Sequence, residues 1–168
     1  MRSSKTRLIV YLGVLTAMEI VLSRFLSISA WNVKIGFSFV PVAAAAMLFG
    51  MLPAAVVAAL GDFLGAILFP IGPYFPGFTL TAFLTGIVWG FFLRKERTVL
   101  RVLAAVAVNQ LILSLLLNSL WISVLYSSPY PALLATRLVQ CAILGPVQFV
   151  VILLLGRAAD TYGRRLTV

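Results

Sequence analysis

Histidine is absent from the 168 residues, and cysteine occurs once, at Cys141 inside an apolar run. A disulfide framework is excluded, and a zinc site has no ligand set. No metal and no cofactor is implied. Only four residues are acidic, and all charged residues together make up 10%. A soluble domain carries about a quarter, so this chain cannot cover its surface with polar groups. The phosphate-cradling pattern G-x-x-x-x-G-K-[ST] is missing, which excludes ATP hydrolysis by a P-loop. G-x-S-x-G and H-E-x-x-H are missing too, so no enzyme activity is expected. No repeat relates the two halves, unlike many secondary transporters.

What is present is apolar. Hydrophobic residues make up 62%, and the mean hydropathy is +1.13. Lipid is the expected solvent. A helix needs roughly 20 apolar residues to cross a bilayer core. Six spans are expected in one membrane domain, 1–168: about 8–28, 36–49, 53–69, 77–93, 99–126 and 131–156. The second is short and is expected to be interrupted by Pro41. The first apolar run is longer than the core of a signal peptide, so no cleavable leader is expected.

The basic residues give the direction. Arg2, Lys5 and Arg7 precede the first span. Arg94, Lys95, Arg97 and Arg101 lie between the fourth and fifth, and Arg157, Arg164 and Arg165 follow the sixth. With six spans these groups share one side, which marks it as cytoplasmic and puts both termini there. The net charge of +9 is therefore topology rather than a nucleic-acid surface.

Three cations do not fit that rule. Arg24, Lys34 and Arg137 fall near the external side. So does the stretch FPIGPYFPGF (69–78), in which Pro70, Pro73 and Pro76 break helices and nothing is charged. Three fixed φ angles lower the entropy lost on ordering, as suits a stiff gate over an apolar ligand. Glu19 and Asp62, with Asn109, Gln110, Asn118, Gln140 and Gln148, are polar groups inside apolar runs. Such groups face a partner or a cavity. Trp31, Trp121, Tyr74, Phe75 and Tyr126 lie near the outer boundary, either as an interfacial belt or as stacking platforms. Asn118 and Trp121, three apart, share a helix face. Together these residues imply an outward-facing site for an anionic, aromatic small molecule.

Small residues recur at spacing four: Gly13 and Ala17, Ala54 and Ala58, Ala55 and Ala59, Gly61 and Gly65. They allow close helix packing within the chain or against another membrane protein.

The stretches YLGVLTAMEIVLSRFLSI (11–28), VKIGFSFVPVAAAAMLFG (33–50), GDFLGAILFPIGPYFPGFTLTAFLTGIVWGFFL (61–93), NSLWISVLYSSPY (118–130) and ATRLVQCAILGPVQ (135–148) resemble the substrate-binding S components of energy-coupling factor (ECF) transporters, and most closely the folate-specific branch. The resemblance implies an all-α fold of six transmembrane helices in a prokaryotic cell membrane. It implies folate as ligand, with a transmembrane T component and two ATPase subunits as partners. The T component would meet the first three spans, with Gly13, Ala17, Ala54 and Ala58 at the contact. Arg24, Lys34 and Arg137 would hold the anionic tail of folate. Trp31, Trp121 and Tyr74 would wall the rings, and Asn118 and Asp62 would meet the pterin edge. Phe37, Phe39, Phe75, Gly77 and Thr79 would complete the wall. The alternatives are an S component for pantothenate, riboflavin or a queuosine precursor, or a small stand-alone secondary transporter.

Overall fold

The computed structural model describes residues 2–30, 33–95 and 98–165. Helix α1 (Arg2–Arg24) leads into a two-stranded antiparallel hairpin, β1 (Ser27–Ala30) and β2 (Val33–Gly36). Ser27 pairs with Gly36, and Ala30 with Val33. Helices α2 (Phe39–Phe49), α3 (Met51–Leu68) and α4 (Pro76–Leu93) follow. Next, α5 (Val99–Ala107) runs through a π-helical stretch, Val108–Leu117, into α6 (Asn118–Tyr126), and α7 (Tyr130–Arg165) closes the chain.

Among the described residues, five helical segments are long and apolar enough to cross a membrane, with α5 to α6 counted as one rod; α2 is the short apolar sixth. At 1.5 Å per residue its 11 residues span about 16 Å, roughly half a bilayer core. The first span was expected to reach Ile28 but ends at Arg24, because Ser27 and Ile28 belong to the hairpin. The second was expected from Gly36 and starts at Phe39 for the same reason. Pro41 does not interrupt it. Pro41 lies in the first turn, where the missing N–H has no intrahelical partner to lose. Pro53 and Pro76 open α3 and α4 in the same way.

The core is built from small residues. Ala43, Ala45, Ala46, Ala54 and Ala55 are fully buried, and Trp89, Leu93, Val102 and Ile152 fill the space between them. Helices α3 and α4 approach closely. A methyl group on Gly86 would collide with the backbone of Ala54 and Ala55, and one on Gly90 with that of Met51.

The expected partner contact needs correcting here. Ala54 and Ala58 face this chain's own core, at 0% and 3% exposure, and cannot form an outer contact surface. Gly13 and Ala17 are exposed on α1, with open space beside Gly13. Gly61 and Gly65 do something other than let helices touch. Side chains of α1 lie across them: the Glu19 carboxylate over Gly61 and the Arg24 guanidinium over Gly65.

Candidate ligand-binding site

Glu19 and Arg24 line a cavity of about 420 Å³, within the usual range for small-molecule sites. Its walls come from β2, from the π-helical stretch and from every helix except α5. Residues 71–75 of the proline-rich loop also line it, and beside Gly72 that loop lies against the Tyr126 hydroxyl. The expected placement of the loop at the mouth of a pocket matches this geometry.

Among the described residues, five charged side chains line the cavity: Glu19, Arg24, Lys34, Asp62 and Arg137. Arg24 Nη2 donates to the Asp62 carbonyl oxygen at 3.3 Å and lies 3.9 Å from Asp62 Oδ1. Asp62 Oδ2 accepts from Thr79 Oγ1 at 2.8 Å. Thr79 Oγ1 in turn lies 3.1 Å from Tyr74 Oη. The threonine proton goes to the carboxylate, so the tyrosine donates to the threonine. The loop is thereby fastened to α3 and α1 through one relay of hydroxyls. Lys34 sits in β2, where burial holds its ammonium below the usual lysine range. The Lys34 carbonyl accepts from Gln140 Nε2 at 2.8 Å, which straps the hairpin to α7. Arg137, on α7, is buried and donates to Ser114 Oγ at 3.4 Å.

Amide side chains supply the rest of the polarity. Asn109 Oδ1, Gln110 Oε1, Asn118 Oδ1, Gln140 Oε1 and Gln148 Oε1 are enclosed and lack a hydrogen-bond partner among the described residues. All five residues line the cavity. A buried acceptor left unmatched costs about 1–3 kcal/mol, so this wall favours a ligand rich in N–H groups. Spacing explains how one rod presents so many of them. Gln110, Ser114, Asn118 and Ile122 all reach the cavity at intervals of four. In an α-helix each interval of four turns about 40° past a full circle. The i→i+5 bonding of Val108–Leu117 holds more residues per turn and keeps them closer to one line.

The family described as the S component of the ECF-type riboflavin transporter matches residues 3–159. The chain belongs to this S-component family. It is 42% identical to the folate transporter FolT of Clostridium novyi over 149 residues, covering 88% of this chain and 87% of that one. It is 32% identical to FolT of Leuconostoc mesenteroides over 150 residues, covering 85% and 80%. Among solved structures, FolT bound with folic acid matches with a TM-score of 0.85 and 36% identity, over 89% of this chain and 92% of that one. The fold is thus that of an ECF S component, a multi-pass membrane protein.

In this S component the expected site residues divide. Arg24, Lys34, Asp62, Tyr74, Phe75, Asn118 and Arg137 line the cavity, as does Phe39. Phe37 points outward at 49% exposure. Gly77, Thr79 and Trp121 stand behind the wall. Trp121 packs on Phe75, with ring centroids 5.6 Å apart, and its Nε1–H donates to Thr81 Oγ1 at 3.0 Å. A methyl group on Gly77 would meet both the Phe75 and Trp121 rings at 2.6 Å. Trp121 therefore props the ring that faces the cavity. Trp31 lies outside the described residues. Trp89, which sequence reasoning passed over, lines the cavity and is fully buried. Only its place on α4, the helix that Pro76 opens below the loop, could have signalled that.

The hydroxyl relay gives one expected result. Thr79→Val keeps the shape but removes both hydrogen bonds. It should raise the ligand dissociation rate by about five- to thirtyfold, from one or two bonds worth about 1 kcal/mol each. Tyr74→Phe should add little in the double variant, because both act on one relay. Stopped-flow dissociation measures this, and fully additive effects would break the relay.

Proposed function

We propose that this chain is the folate-binding S component of an ATP-driven ECF vitamin uptake transporter in a prokaryotic cell membrane. It captures folate at the outer face and delivers it inward by reorienting with a T component and two ATPase subunits. Both termini are cytoplasmic in this reading, as the basic residues at the chain ends and after α4 require. The observation that carries the proposal is the loop-covered cavity holding Arg24, Lys34 and Arg137 beside a wall of amides. It occurs in a chain similar to FolT bound with folic acid.

The ligand's chemistry fits the lining. Folate has two carboxylates at one end and a flat ring rich in N–H groups at the other. Arg24, Lys34 and Arg137 hold the tail, since guanidinium groups suit carboxylates. Asn118 and its neighbouring amides meet the ring, while Phe39, Tyr74 and Phe75 wall it. Asp62, whose oxygens already meet Arg24 and Thr79, holds the guanidinium and the loop in place. The exposed face of α1 around Gly13 and Ala17 meets the T component.

The test is equilibrium binding of folic acid to the purified chain in detergent, followed by tryptophan fluorescence and by calorimetry. Saturable quenching is expected. Because Trp89 lies in the cavity wall, Trp89→Phe should reduce the quenching while calorimetry still detects binding. A folded wild type that binds no folic acid would sink the proposal. The family description names riboflavin, so competition by riboflavin is the discriminating control. Displacement of folic acid by riboflavin at equal concentration would favour that vitamin instead.

A further inference from the structure

Two acidic side chains line the cavity, Glu19 and Asp62. Asp62 is already engaged by Thr79 Oγ1 and approached by Arg24. Glu19 is not. Its Oε2 is enclosed and has no hydrogen-bond partner among the described residues, and the residue is only 7% exposed. A carboxylate in the low-dielectric interior is costly unless a donor meets it. Glu19 is held in position by the notch at Gly61, where any added methyl group would strike the carboxylate. A notch that seats an acid between α1 and α3, facing a ligand cavity, has no packing purpose that an apolar residue would not serve better.

We infer that Glu19 is a specificity-determining residue whose carboxylate recognises a ring edge carrying an amino group beside a ring N–H. The inference rests on the folate reading above, since the 2-amino-4-oxo edge of a pterin has that donor pair. With Oε2 seated on Gly61, the other carboxylate oxygen is left to accept from that edge in a charge-assisted hydrogen bond. A flavin ring offers a single imide N–H between two carbonyls, so the same acid would repel it. Glu19 thus selects for the ligand by attraction and against other flat vitamins by unmatched charge.

The experiment measures calorimetric affinity of two ligands, folic acid and its 2-desamino-2-methyl analogue, for wild type and Glu19→Gln. The substituted amide keeps the volume of the side chain but not its charge or second acceptor. Wild type is expected to prefer folic acid strongly. Glu19→Gln should lose about 10- to 100-fold in affinity for folic acid and little for the analogue. Gly61→Ala should show the same selective loss in smaller measure, because the displaced atoms are the free end of a side chain. It serves as the second variant if Glu19→Gln does not fold. Equal losses for both ligands, or no loss for either, would overturn the assignment and leave folate binding standing. Absence of folic acid binding by folded wild type would overturn the folate reading, and this inference with it.

Discussion

Arg24→Met is expected to weaken folic acid binding by about 10- to 150-fold, the largest effect of any single change at the site. Hydrogen bonds to a charged group contribute about 1.5–3 kcal/mol, and each 1.4 kcal/mol is roughly a decade in Kd. The guanidinium side chain is only 11% exposed and lies over Gly65, so water replaces it poorly. Methionine keeps much of the packing along the stem. What goes is the cation, and with it the screen between Asp62 and an anionic tail. The charged lining would change from three cations against two acids to two against two. The measurement is a calorimetric Kd, with thermal stability recorded alongside. A change smaller than about threefold in a protein of unchanged stability would remove Arg24 from the ligand's tail site.

The second large effect is on folding. Gly90→Val should leave little monodisperse protein after detergent extraction. Its methyl groups would have to occupy space held by the Met51 backbone, and no side chain can turn aside to make room. Overpacking of this kind typically costs about 1–3 kcal/mol, and here it also forces apart two helices that bury Trp89 and Ala54 between them. Size-exclusion profile and thermal unfolding decide the matter. Wild-type behaviour of Gly90→Val would mean that α3 and α4 do not pack as described.

Much of the scaffold is legible in the sequence, because lipid imposes long apolar runs and the breaks between them are chemically plain. The charged RKER run ends a membrane span, and the prolines of the 69–78 loop end a helix. The cations left outside the positive-inside pattern, Arg24, Lys34 and Arg137, do meet in one cavity. Other features were hidden for definite reasons. The strands 27–30 and 33–36 form a single short pair, and Ser27 and Ile28 sit at the end of the first apolar run. Ala54 and Ala58 carry the same small-residue spacing whether they face a partner or their own core, and spacing alone cannot choose. Trp121 shares a helix face with Asn118 but lies behind Phe75, packed against that ring rather than in the cavity. Glu19 was visible as a charged residue in lipid. Its importance depends on Gly61, which is remote in sequence and directly beneath it in space.

The π-helical stretch has a consequence for how such pockets diverge. If Val108–Leu117 wound as an ordinary α-helix, the residues sharing a face with Asn109 would be Leu113, Leu116 and Leu120. Leucine would then take the place of Asn118 on the face that Asn109 presents. Loss of a single residue in this stretch could restore that winding. Ligand preference here is thus tied to chain length as much as to side-chain identity, and a one-residue gap between relatives in this stretch could exchange a lining amide for leucine without any substitution.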